Sequence, residues 1–117
     1  MRYSGIAIGL LLVLLSVGLV SCVKYHGTFS VANNASETIT QVTVSICGQT
    51  IELSDIKPKE SVSSSFEVTS DSHYVVRVEF RSGRTLVGEG GYVTNGMNFR
   101  HEISVTDNEV RVTGGGT

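Results

Sequence analysis

From His73 to Phe80 the chain alternates without a break, with Tyr74, Val76, Val78 and Phe80 in one set and Val75, Arg77 and Glu79 in the other. Only an extended strand, whose successive side chains point to opposite faces, gathers the first set on a single surface. The same period returns downstream, where Met97, Phe99, His101, Ile103 and Val105 alternate with Asn98, Arg100, Glu102 and Ser104. Val42, Val44, Ile46, Phe66 and Val68 supply further inward positions. From Thr28 onward Val, Thr, Ile, Ser and aromatic residues are broken at short intervals by Gly, Asn, Asp or Pro, and no helical period emerges. The spacing predicts strands over about 28–33, 38–47, 49–53, 62–68, 73–80, 84–93, 97–106 and 109–113.

Such a run of short strands calls for two facing antiparallel sheets sharing one core. The expected fold class is all-β, a single immunoglobulin-like sandwich of about seven or eight strands, with a small closed antiparallel barrel as the alternative. Hairpin turns fall at Ser82-Gly83 and Asp107-Asn108. The segment Leu53 to Ser61, holding the only Pro, reads as a loop crossing between sheets with Ile56 tucked inward. Gly88, Gly90 and Gly91 mark a bulge or bend in the sixth strand. Residues 114–117, Gly-Gly-Gly-Thr, read as a frayed tail.

The first fifth of the chain has a different composition. Met1 to Ser4 carries one positive charge, and Gly5 to Val20 is apolar with no charged residue, which is the pattern of an export signal. That run sits at the lower margin for crossing a hydrocarbon core about 30 Å thick, so a permanent transmembrane anchor is the weaker reading. The expected division is a leader over 1–21, a tether over 22–27, the sandwich over 28–113 and the tail over 114–117.

The leader ends in Leu19-Val20-Ser21-Cys22. This stretch resembles the lipobox of bacterial lipoproteins: an aliphatic residue, a small or short-branched one, a small one, then cysteine. The resemblance implies cleavage before Cys22, diacylglycerol on its sulfur and often an acyl group on its new amino terminus. One acyl chain holds a protein only marginally, while two or three, at about 0.8 kcal/mol per buried methylene, hold it durably. The partner implied is a membrane, reached through the N-terminal lipid, and the place a bacterial cell envelope. In Gram-negative lipoproteins an aspartate after the cysteine commonly marks inner-membrane retention. Val23 stands there, which points to the outer membrane facing the periplasm in such a host. With Cys22 acylated, Cys47 is the only thiol left; with Cys22 free, a Cys22 to Cys47 disulfide is the alternative. The stretch from Asn33 to Asp107 also resembles uncharacterised small lipoproteins of bacteria, to which no activity attaches.

Composition narrows the function classes. Nine basic residues face eleven acidic ones, and losing Arg2 with the leader widens the deficit by one. Nucleic-acid binding needs clustered Lys and Arg, whereas these are interleaved with Glu and Asp. His26, His73, His101, Met97 and Cys47 are of types that suit copper, but Cys47 has no nearby His and the set lacks a shared loop. Met97 and His101 are expected on one strand face as core packing. Asn34-Ala35-Ser36 matches a glycosylation acceptor, relevant only to a eukaryotic secretory route. No nucleophile elbow, no His-Glu-x-x-His helix and no paired acid and His point to catalysis. The chain therefore reads as a non-enzymatic binding or structural module without cofactor, its one modified site Cys22, meeting an envelope protein or polysaccharide. An inhibitor or immunity-type lipoprotein blocking an envelope hydrolase is the second reading, and a small metal-handling protein the third. If successive strands alternate in direction, the loops near 33–37, 54–61, 81–84 and 107–109 gather at the end far from the N-terminus, with Glu37, Asp55, Lys57, Lys59, Glu60, Arg81, Arg84, Asp107 and Glu109. Any partner is expected there, since sandwich domains often bind through clustered loops.

Overall fold

Each alternating stretch becomes a strand. The computed structural model describes residues 23–117, so the expected leader and Cys22 lie outside the described residues. Eight strands follow one another: β1 (Tyr25–Asn33), β2 (Ile39–Ile46), β3 (Gln49–Ile56), β4 (Ser61–Val68), β5 (Ser72–Phe80), β6 (Thr85–Val93), β7 (Phe99–Val105) and β8 (Val110–Gly116). They form two four-stranded sheets, ordered β4-β1-β7-β8 and β3-β2-β5-β6. The domain is the expected sandwich of immunoglobulin-like kind. One pairing departs from a purely antiparallel arrangement, because β1 runs parallel to β7, from Gly27 opposite Phe99 to Asn33 opposite Val105.

Period two decides the core. In β5, Tyr74, Val76, Val78 and Phe80 are all buried; in β2, Val42, Val44 and Ile46; in β7, Phe99, His101, Ile103 and Val105. Phe29 and Val31 of β1, with Phe66 and Val68 of β4, fill the facing layer. Tyr74 receives the rings of Phe29 and Phe66 near its own, edge-on, with centroids 6.0 and 5.7 Å away. That geometry favours the edge-to-face attraction of aromatic quadrupoles.

The sandwich is closed along one side by glycine. At Gly88 a β-carbon would collide with the backbone and side chain of Val110, and at Gly91 with Val112 and Tyr74. The missing side chains let β6 and β8, from different sheets, approach closely. Gly91 also has φ 66° and sits where the β5–β6 register slips between Ser72 and Tyr74, the bulge the glycines forecast.

Several boundaries differ from the sequence reading. Cys47 is not the end of a strand but, with Gly48, the two-residue turn of the β2–β3 hairpin; their φ values of 49° and 68° are those of a type I′ turn, whose twist matches the flanking strands. The segment read as a loop from Leu53 is strand as far as Ile56, and only Lys57–Glu60 crosses between sheets. There Pro58 precedes Lys59 at φ 71°, and Glu60 N donates to Lys57 O at 3.0 Å, a type II turn pattern. The glycine tail is no frayed end: Gly114, Gly115 and Gly116 pair with His101, Arg100 and Phe99. A glycine run has no side-chain period, so its backbone pairing leaves no trace in the sequence. At the other end β1 starts at Tyr25, three residues before the expected start at about Thr28. Met97 lies in the β6–β7 turn and is exposed, not packed in the core.

Phe66 lies across Gly27, its direct partner on β1, where a β-carbon would overlap the ring. An aromatic covering a glycine replaces the burial that the glycine lacks. Gly27→Ala is expected to displace the ring and lower stability by about 1–3 kcal/mol, the usual cost of overpacking. Urea unfolding measures this, and pairing the change with Phe66→Leu should restore part of the loss.

Candidate functional site

Eight strands alternating in direction send every odd-to-even connection to one end of the sandwich. The loops at 34–38, 57–60, 81–84 and 106–109 therefore meet, as the sequence suggested, and they are bonded to one another. Asn33, fully buried at the end of β1, organises the meeting. Its side-chain nitrogen donates to Ile56 O at 2.8 Å and Glu37 O at 3.0 Å, and its side-chain oxygen accepts from Ala35 N at 2.9 Å. Its backbone nitrogen donates to Glu60 O at 2.9 Å and its carbonyl accepts from Lys59 N at 2.8 Å. One residue thus ties the β1–β2 loop to the β3–β4 crossing.

Arg84 joins the other two loops. Its guanidinium reaches Glu37 Oε2 at 3.3 Å, donates to Asp107 O, and lies 4.5 Å from the centroid of the Phe80 ring. Glu37 Oε1 also accepts from Ser82 N at 3.1 Å, and Asp107 Oδ1 accepts from both the nitrogen and the hydroxyl of Ser36 at 2.8 Å. Hydrogen bonds from Ser82 hold the Glu37 carboxyl below its ordinary range, with Arg84 adding to the effect. Those from Ser36 do the same for Asp107, again with help from Arg84. Carboxylates so held keep their charge and their bonds at neutral pH.

The charges of this end thus divide into two groups. Glu37, Arg84 and Asp107 are spent on bracing the loops. Asp55, Lys57, Lys59 and Arg81 are exposed, and no ion pair among the described residues engages them. Glu60 turns back on Lys57 N at 3.3 Å, and Glu109 pairs with Arg111 at 2.8 Å. The result is a fixed surface from which three cations and the Asp55 carboxylate project.

The histidines and sulfur residues singled out in the sequence are dispersed. Among the described residues, no three His, Cys, Asp or Glu side chains converge as metal ligands. His26 and His73 lie exposed near the N-terminal end of the sandwich, His73 being 3.9 Å from Glu89. Cys47 is buried and donates its thiol to Ser70 O at 3.4 Å. His101 is buried, stacked on Phe99, with Nδ1 3.0 Å from the Tyr74 hydroxyl. Burial lowers the His101 pKa and, with Cys47 nearby, raises that of Tyr74. The hydroxyl and the ring nitrogen share one hydrogen bond, its direction set by the imidazole tautomer. A shallow depression beside this pair is lined by Thr28, Ser30, Ser63 and Arg100.

Sequence reasoning missed Asn33 and the Tyr74–His101 bond. The first had a signal, since Asn two residues before a bonded backbone nitrogen forms an Asx turn. The second had none, because it joins two sheets whose facing register no period reveals.

No protein-family model matches the chain, and no curated protein does. A solved protein from Eubacterium rectale is similar in structure, with a TM-score of 0.56 over 75% of this chain and 86% of its own. At 15% identity that likeness extends to the fold alone.

Two expectations follow. Asn33→Ala strands two carbonyls and one amide and should cost about 2–4 kcal/mol in urea unfolding, well above the norm for a single lost bond. For His101 the folded pKa lies below the unfolded one, so the neutral ring's contribution is complete above about pH 6.5, the ordinary imidazole value, and declines as pH falls below it. A series of unfolding curves across that range should show the decline in the wild type and a flatter profile in His101→Phe.

Proposed function

We propose that this protein is a bacterial lipoprotein, held through lipid on Cys22, whose sandwich is a non-enzymatic module meeting an envelope partner with its braced loop end. The opposition of the two ends carries the reading. The lipobox-like Leu19-Val20-Ser21-Cys22 precedes β1 by only two residues, so the lipid attaches at one end. The loops bound together by Asn33 and Arg84 stand at the other, facing away from the membrane. Bracing lowers the entropy lost when loops bind a partner, because they are already ordered. Lys57, Lys59 and Arg81 project from that surface beside the exposed carboxylates of Asp55 and Glu60, and the three cations suit an acidic protein or polysaccharide face.

The anchor is tested by the intact mass of the membrane-fraction protein. A chain beginning at Cys22 and carrying two or three acyl chains, lost in Cys22→Ala, is expected; a mature chain without lipid overturns the anchor. The partner is tested by reversing Lys57, Lys59 and Arg81 to Glu while leaving Arg84 intact. Melting temperature should hold while cross-links to envelope components disappear. Unaltered cross-links would remove the loop end from the reading.

A further inference from the structure

The end that carries the N-terminus is chemically unlike the loop end. Its connections and approach, residues 23–24, 47–48, 69–71 and 94–98, include only two charged side chains, Lys24 and Asp71. The four opposite connections hold eight: Glu37, Lys57, Lys59, Glu60, Arg81, Arg84, Asp107 and Glu109. Asp71 is engaged, its carboxylate accepting from Asn95 N at 2.8 Å. Lys24 alone projects from the approach to β1.

Large apolar side chains are exposed in the reverse pattern. The described domain leaves four of them in solvent: Val23 at 71%, Val87 at 65%, Tyr92 at 79% and Met97 at 45%. Three of the four, Val23, Tyr92 and Met97, sit at the charge-poor end, beside the start of the chain's described part. Tyr92 leans on His73, with ring centroids 5.9 Å apart, and Met97 reaches over Gly116. Neither is absorbed by the core, and nothing in the packing requires a large apolar group at either place.

We infer that this end rests in the headgroup and acyl boundary of the bilayer, with Met97, Tyr92 and Val23 as its apolar contacts. The inference builds on the anchor at Cys22, and the tether length is what commits it to a lipid surface. Cys22 to Tyr25 spans at most about 11 Å fully extended, so lipid on the cysteine holds this end at the headgroups. An exposed apolar group held there lowers its free energy by leaving water, and Tyr suits the boundary because its ring is apolar and its hydroxyl polar. Lys24 meets anionic headgroups favourably. The arrangement fixes the domain's tilt, so that the braced loops point outward rather than lying against the membrane.

The chain has no tryptophan, so one introduced indole reports its own surroundings. The lipidated protein is reconstituted in phosphatidylethanolamine–phosphatidylglycerol vesicles containing acyl-brominated lipid, as Met97→Trp, Tyr92→Trp or Lys59→Trp. The first two should shift to the blue and lose emission to the bromines, while Lys59→Trp keeps its emission. Equal, unquenched emission from all three on protein that floats with the vesicles overturns the inference. So does a blue shift at position 97 that bromine does not quench and that grows with protein density, which would assign the face to a second copy. Intact mass reads the anchor separately: missing acyl mass with quenching at 97 and 92 overturns the anchor and upholds the resting face, and failure to float overturns both.

Discussion

A single buried amide sets the conditions for the surface this molecule presents. Strands of a sandwich are fixed by their ladders, but the loops between them are not, and four loops with eight charges would otherwise move independently. Asn33 restrains two of them because its side chain is short, buried and able to donate twice while accepting once. Two of those bonds go to the β1–β2 loop, at Ala35 and Glu37, and one to Ile56 at the end of β3, so neither segment can shift without breaking a bond to Asn33. A buried polar group left unpaired costs more than an exposed one, which is why a network of this kind stiffens what it joins.

The outer ring of the same end works on weaker terms. Glu37, Arg84 and Asp107 are partly exposed, and surface ion pairs contribute little on their own. Here they gain from geometry: the guanidinium is steadied by the Phe80 ring beneath it, and each carboxylate also accepts hydrogen bonds from serine. Asn33 fixes the loop bases and Arg84 aligns their tips. The cations left over, Lys57, Lys59 and Arg81, are thereby displayed from a backbone that cannot rearrange freely around a wrong partner.

Much of this was legible in the sequence, and the reason is periodicity. Where one face is buried and the other wet, period two writes itself into the residues, so β5 and the inward set of β7 from Phe99 could be read directly. The convergence of four loops also followed, because it needs only the count of strands and their alternation. What escaped has no period. The parallel pairing of β1 with β7 depends on which sheet each strand joins; Gly114 to Gly116 pair through backbone alone; Cys47 entered a turn because Gly48 follows it and the hairpin allows just two residues. Met97 was misplaced since the alternation of β7 extends backward through it by chance, while Asn98 O accepts from Thr117 N and closes the strand's end.

The two ends also explain each other. In the proposed arrangement, an anchor on a two-residue leash would fix distance but not orientation, and a domain free to pivot would present any of its faces to the envelope. A charge-poor end bearing Tyr92 and Met97 would resist that pivot, since lifting it would return apolar surface to water while laying the other end down would press eight charged side chains toward lipid. Both penalties have the same sign. Orientation would then arise from the distribution of residue types along the sandwich axis rather than from the anchor, and the braced cations at the loop end would acquire a defined direction in which to meet the proposed partner.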